Sequence, residues 1–564
     1  MSKSVSVKVP NKSGFDKSHQ NLLTTKVGTL TPIFVDELIP NESVDLDVAI
    51  SASLPPLASD TFMRCDLKLE SFFVPTRILY GGYEKWLTGD SIWAADANDE
   101  MCETKVGIPV GRCNKSDYST YTAPGTLWDF LGGKNPADAS GGPSFIKFNI
   151  FPFLAYYKIY DDWYRNTQVQ KPLFRPMDTY TLDLGTGIND IWSLPYRVLS
   201  LESIENLGMG DYIFGSSLGD GFYNDNGQYV GATKFGDLMQ RNFGTDYFTN
   251  ATPNPQLGDA KSVSFSITGD VNSDNEVEGE GSFTIAALRA MNSLQQFAER
   301  NALAGLRLQD YVKNNYGANL TNGVAQRAIY LGSESINVYS KGIYQTANFE
   351  GQGGISLNNP FTESVGAEFG SAQCSGHCNL GKFTADEPGY LMVIASLVPT
   401  VTYSSGINRI LGRYNAQNSQ TDMANPLLQN VGNQPIYVWE LNGTKFGVSN
   451  DVFGYTDRYA DFKNMNDEVH GLLKDGQNLQ SFALQRTFVG SPVISDSFLR
   501  IPTNYLDQVA AVQGSISQYG VWIDSFFKYR VSMPLSEYSI PSLQDPAYEH
   551  GHDVTIQMRG SRID

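Results

Sequence analysis

Basic residues are scarce in this chain. Lys and Arg number 41 against 60 Asp and Glu, a net charge of −19 with five His counted as neutral. A protein that coats nucleic acid or clings to an anionic membrane through bulk charge carries the opposite sign, so both classes are disfavoured. Charged residues of both signs are only 18% of the sequence, below the usual quarter. Long apolar runs are missing too. The segment around Tyr390–Val401 is the nearest to a membrane span, and it falls short of the roughly 18 to 20 residues required. Met1-Ser-Lys-Ser-Val-Ser offers no apolar core for a secretory signal. The five cysteines, Cys65, Cys102, Cys113, Cys374 and Cys378, are an odd set without framework spacing, which fits free thiols and synthesis in a reducing compartment. No repeat of 20 to 50 residues is present.

What the chain has in quantity is aromatic side chains, 12% of the total with 30 Tyr and 31 Phe, and frequent Gly and Pro. Few charges and many aromatics are the composition of a surface that is buried against other chains. The 564 residues exceed one ordinary domain. No clean linker divides them, so one elaborated domain is expected rather than a string of modules. Period-two alternation at Leu67-Lys-Leu-Glu within Asp60–Pro75, the apolar run Gly389–Thr402 and the looser alternation of Gly514–Tyr529 predict strands. Three segments predict helices: Leu127–Leu131 capped by Thr126 and stopped at Gly132-Gly133, a turn opened by Pro152, and a long run from Thr284 towards Tyr316. The last places Leu288, Met291, Leu294 and Phe297 on one face, with Gly305 as a possible break. Many short strands with few helices argue for an all-β scaffold with large insertions. Met177–Phe235 and 257–282 are loop-like excursions rich in Gly, Asp and Asn.

Motifs of chemistry are few. Gly376–Phe383 resembles a phosphate loop, but Phe383 replaces the magnesium-ligating hydroxyl and Pro388 arrives before any helix. Cys374, His377 and Cys378 are close in sequence yet lack the second ligand pair of structural zinc. His550 and His552 have His-x-His spacing without a third ligand nearby. Asp270, Asn272 and Asp274 are the weak candidates for a calcium loop: Asn275 stands where the turn Gly belongs, and Gly281 where a bidentate Glu is needed. No nucleophile elbow or dinucleotide fingerprint occurs, so no cofactor and no enzymatic activity are expected. Residues 1–30 differ from the rest: Lys3, Lys8, Lys12, Lys17 and Lys26 face only Asp16, which reads as a basic N-terminal arm able to touch phosphates or a neighbouring subunit.

A series of phrases resembles the major capsid proteins of the Microviridae, the gokushovirus type above all. The opening blocks are Ser13-Gly-Phe-Asp-Lys-Ser-His19, Thr24-Thr25, Gly28-Thr-Leu-Thr-Pro32 and Val35-Asp-Glu-Leu-Ile-Pro40. Ser71-Phe-Phe-Val-Pro75, Tyr83-Glu-Lys-Trp86, Phe151-Pro-Phe-Leu-Ala-Tyr156 and Asp162-Trp-Tyr-Arg165 follow. Then come Asp246-Tyr-Phe-Thr249, Pro255-Gln256, Glu299-Arg300, Tyr330-Leu-Gly332, Val452-Phe-Gly-Tyr455 and Arg458-Tyr-Ala460, all in order. The resemblance implies a viral eight-stranded antiparallel jelly roll with long inter-strand insertions. It implies a T=1 icosahedral shell of identical subunits around circular single-stranded DNA of a small bacteriophage. Its expected partners are a small basic DNA-binding protein, pilot and scaffolding proteins and a host surface receptor, with no membrane insertion and assembly in the bacterial cytoplasm before incorporation in the virion. Relatives carry a large insertion after the Pro-Gln motif that builds a three-fold protrusion; here 257–282 is short and 177–235 long. The expected organisation is an arm over 1–30, one capsid domain over 31–540 and a C-terminal tail over 541–564. The rival class is a secreted jelly-roll enzyme or module acting on carbohydrate, in which loop aromatics stack on sugars.

Overall fold

The computed structural model describes residues 12–80, 83–88, 91–95, 101–105, 110–134, 143–170, 173, 212–213, 222–223, 229–230, 234–257, 285–303, 307–321, 326–344, 368–413, 424–429 and 432–535. Its frame is one antiparallel sheet of nine strands. In chain order these are β1 (Ser13–Asp16), β2 (His19–Thr25), β3 (Thr31–Leu38), β4 (Ser43–Ser53), β5 (Cys65–Pro75), β6 (Ile329–Tyr344), β7 (Glu368–Thr384), β8 (Gly389–Pro399) and β9 (Val521–Met533). The spatial order is β1-β9-β4-β7-β6-β5-β8-β3, with β2 also on β9. Nine strands stand where eight were expected because the edge strand is interrupted. Ser13 to Asp16 face Met533 to Arg530, and His19 to Thr25 face Phe527 to Val521. The register along β9 is therefore unbroken, and the gap at Lys17-Ser18 only splits one row in two.

The sheet curls so that the two ends of this path approach each other, which is the architecture of an all-β jelly roll. β6 pairs with β5 over Ile329–Val338 and with β7 over Tyr339–Tyr344, so it bends from one half of the sheet to the other. β3, at the far edge, then reaches β2 through side chains. Asn21 donates to the Ile33 carbonyl at 2.8 Å, Tyr529 donates to Asp36 at 2.8 Å, and Lys17 pairs with the same carboxylate. Thr25 and Thr31 share a hydroxyl hydrogen bond, and His19 stacks on Phe34 with centroids 5.7 Å apart.

Alternation then sorts the side chains. β4 sends Val44, Leu46, Val48, Ile50 and Ala52 inward, where they meet Leu67 and Leu69 of β5, Leu391, Val393, Ala395 and Leu397 of β8, and Ile523, Phe527, Tyr529 and Val531 of β9. β9 is buried at every other residue along most of its length, so its outer face is open to solvent. β8 is buried throughout, because its second face lies under a second core. Helices α1 (Leu127–Phe130) and α2 (Phe151–Ile159) belong to that core, which joins Phe72, Val74, Tyr390, Met392 and Ile394 to Phe153, Tyr156, Tyr157 and Tyr160. The insertion spanning 76–328 supplies it; a second insertion spans 400–520. Further helices are α3 (Ile285–Leu303), α4 (Leu308–Tyr316) and α5 (Ser515–Tyr519).

Two expectations change. From Ser13 onward the expected arm is the edge strand of the barrel, not a free extension. The segment Gly514–Tyr529 opens with α5, turns at Gly520 (φ 71°) and only then becomes β9. The long helical run divides into α3 and α4 around position 305, where a break was expected; Gly305 itself lies outside the described residues. So do the tail 541–564, most of Met177–Phe235 and 258–282, with Asp270, Asn272 and Asp274.

Candidate assembly surface

None of the sequence motifs of chemistry converges. Gly376–Phe383 lies inside β7, where Cys374 and Cys378 point into the barrel and His377 points out. Strand alternation thus separates the residues that proximity had grouped. His550 and His552 lie outside the described residues, among which no three His, Cys, Asp or Glu side chains are grouped to hold a metal. Cys65, Cys113, Cys374 and Cys378 are buried free thiols. Burial pushes the Cys113 thiol up to about 12 and Cys378 to about 11, with Cys65 higher still. The thiolate is the reactive form. We expect these four to resist a disulfide-exchange reagent at pH 8 in native subunits and to react on denaturation; rapid native labelling, located by peptide mapping, would contradict their burial.

Of the basic residues near the start, Lys3 and Lys8 lie outside the described residues. Lys12 is exposed beside Ser43, 3.5 Å away, and Lys26 is exposed at the end of β2. Lys17 is engaged in the barrel seam, with Asp36 as ion-pair partner and its ammonium 5.3 Å from the Tyr529 ring.

The insertions are fastened to the barrel by buried polar groups. Tyr156 donates to the Leu30 carbonyl at 2.7 Å and accepts from the Met239 amide at 2.8 Å. Tyr157 repeats the pattern on the same segment, donating to the Asp237 carbonyl at 3.0 Å and accepting from Gly236 at 2.8 Å. Trp163 donates to the Ala328 carbonyl at 3.0 Å while the Arg327 guanidinium lies 3.5 Å from its ring centre. Arg241 forms a two-point pair with Glu70 on β5, and Tyr164 donates to the same carboxylate. In the second insertion, Glu440 is held by Arg409 at 3.2 Å, by the Tyr437 amide at 2.8 Å and by the Tyr247 hydroxyl at 3.2 Å. Burial raises the Glu440 pKa, opposed by Arg409. Tyr156 and Arg241 thus tie the first insertion to the strand frame, Tyr157 braces that insertion internally, and Glu440 joins the two insertions to each other.

Among the described residues, most aromatic side chains of the insertions go into this internal packing. Tyr118, Tyr156, Tyr157 and Tyr160 are among the largest fully buried side chains, so the aromatic content is not chiefly a set of outward anchors. The exposed apolar residues are largely aliphatic: Leu288, Leu294, Leu303, Leu308, Leu427, Met465 and Val489, with Phe62, Tyr316 and Tyr339. On the open sheet face Trp522 and Phe526 of β9 are joined by Leu22 of β2. A cleft of about 1120 Å³ runs along this face, and its described lining includes Trp522, Asp524 and Asp129 but no Lys or Arg. Exposed apolar side chains that cluster in this way are commonly found where a protein meets other molecules.

An antiparallel jelly roll carrying large insertions, with apolar side chains left exposed on several of them, is the build of a structural protein that packs against other molecules. The chain belongs to the capsid protein (F protein) family, whose model matches residues 4–543. It is similar to capsid protein VP1 of Chlamydia phage 1, at 24% identity over 94% of this chain and 96% of that one. Similar too are the VP1 capsid proteins of Bdellovibrio phage phiMH2K, at 23% over 94% and 95%, and of Spiroplasma virus 4, at 22% over 93% and 94%. All three are Microviridae capsid proteins, and this chain is a major capsid protein, a virion component that assembles with identical copies. Among the described residues no helix is long and apolar enough to cross a membrane.

Proposed function

We propose that this subunit builds a T=1 icosahedral shell around circular single-stranded DNA of a small bacteriophage, assembled in the host cytoplasm. The family match over nearly the whole chain carries this reading. A closed shell requires unlike patches around its axes, and the bare surfaces on α3, on the open sheet face and on the second insertion are separate candidates. Electron microscopy of the purified protein and of the producing lysate tests the reading: small isometric particles are expected, and monomers or elongated trimers would overturn it.

In the same reading the subunit does not neutralise the genome alone. A chain at −19 brings the wrong sign in bulk, so a small basic partner lines the shell and Lys3, Lys8, Lys12 and Lys26 assist. Lys17 is a poorer candidate because Asp36 already neutralises it. Purified subunits should bind single-stranded DNA weakly, with log affinity falling by roughly 0.7 per phosphate contact against log salt. Tight binding with a steep slope after deletion of residues 1–12 would reveal a basic inner face and sink this view. The excursions 177–235 and 257–282 are proposed as outward loops, at least one near a three-fold axis, that meet the host receptor. Pilot and scaffolding proteins complete the proposed partners.

A further inference from the structure

Among the described residues, the apolar side of helix α3 is covered for only half its length. Helical spacing lines up Leu288, Met291, Leu294, Ala298 and Ala302 on that side. Ala298 and Ala302 are buried at 4% exposure, yet Leu288 and Leu294 on the same side are 52% and 51% exposed. The patch extends past the helix. Leu257, whose amide donates to the Ala298 carbonyl at 3.1 Å, is 46% exposed. Around the helix, Phe297 meets Tyr311 of α4 with centroids 6.4 Å apart, and Tyr311 meets the exposed Tyr316 at 6.3 Å. An amphipathic helix gains its stability by burying its apolar stripe, and here the amino-terminal half of the stripe is left to water.

We propose that this uncovered side of α3 is a contact between copies of the chain in the shell, packing against a second subunit. The inference rests on the capsid reading and names the surface through which one contact is made. Charge selects the occupant. Subunits that each carry −19 approach with least repulsion through surfaces nearly free of charge, and residues 285–298 contain a single charged side chain, Arg289. A polyanion would find only that one cation there. A basic peptide would find no carboxylate before Glu299, which Gln295 already engages at 2.7 Å. A second acidic subunit offering apolar surface meets no electrostatic penalty and excludes water from Leu288, Met291 and Leu294.

The test is photocrosslinking within particles of the full chain, using Leu294→p-benzoylphenylalanine. Irradiated particles should yield a product of twice the chain mass on a denaturing gel, absent when dissociated subunits are irradiated. A product confined to one chain, for instance joining position 294 to the 258–284 segment, would overturn the proposal, as would a product with a different protein. Particles that form but give no product would also overturn it while leaving the capsid reading intact; failure of the unmodified chain to form particles would sink the capsid reading itself. The paired variant Leu288→Asp, Leu294→Asp should reduce particle yield at least tenfold while subunit melting stays close to that of the unmodified protein. Undiminished yield would overturn the contact, and if the variant does not fold, the crosslink decides.

Discussion

Arg241→Ala should destabilise the dissociated subunit by about 3–5 kcal/mol, because it strands Glu70 in a largely buried position without its counter-charge. Both side chains are mostly out of solvent, at 16% and 14% exposure. The guanidinium bonds both carboxylate oxygens and also the Ser396 hydroxyl at 3.0 Å, so it ties β5 and β8 to the first insertion at one point. Its removal leaves the Tyr164 hydroxyl as one remaining donor to Glu70, too little to offset the desolvation of a carboxylate. The loss should show in urea unfolding as a lower midpoint with an unchanged slope. Arg241→Met combined with Glu70→Gln should recover much of it, since no buried charge then remains. A single-variant loss under about 1 kcal/mol would mean that water reaches the pair.

Tyr156→Phe removes one oxygen and should cost about 2–4 kcal/mol, a large effect for so small a change. The hydroxyl accepts from the Met239 amide and donates to the Leu30 carbonyl. Without it both backbone groups are buried without that partner, each costing about 1–3 kcal/mol. Tyr156 is fully buried, and Leu30 and Met239 are nearly so, which leaves water little room to substitute. The Met239 amide should gain hydrogen-exchange rate by at least tenfold in the variant. Unchanged exchange there would show that the hydroxyl is not what holds this segment.

The elements legible in the sequence are those whose pattern is set locally. Gly389–Pro399 reads as a buried strand because both of its faces are apolar, and both are covered in the fold. Pro152 fits the first turn of α2 because its missing amide costs nothing there. Thr126 stands at the start of α1 as expected, yet its hydroxyl bonds the Ala123 carbonyl instead of capping the helix. The edge strand over residues 13–25 is obscured by Lys17 within it and Lys12 and Lys26 beside it, which suggest a basic arm; polar residues such as His19, Gln20 and Asn21 also dilute its apolar alternation. The assembly surface was harder to read. A buried Tyr157 and an exposed Tyr316 carry the same composition signal, and only the tertiary structure separates an internal clamp from bare surface. The apolar side of α3 was visible from its spacing, but not that the subunit leaves half of it uncovered.

The position of β9 has a consequence for how the chain matures on the ribosome. This strand comes from the end of the described chain and lies between two strands from its beginning, β4 on one side and β1 with β2 on the other. Ser13 pairs with Met533, so closure joins residues separated by almost the whole domain. Until Val521–Met533 emerges, β4 has an unfilled edge and the first strand has no partner. Such distant pairing is slow and cannot be completed during synthesis. A nascent or truncated chain therefore lacks the finished barrel on which every insertion is mounted. Chains cut before Val521 should therefore be left out of particles, a form of quality control set by strand order.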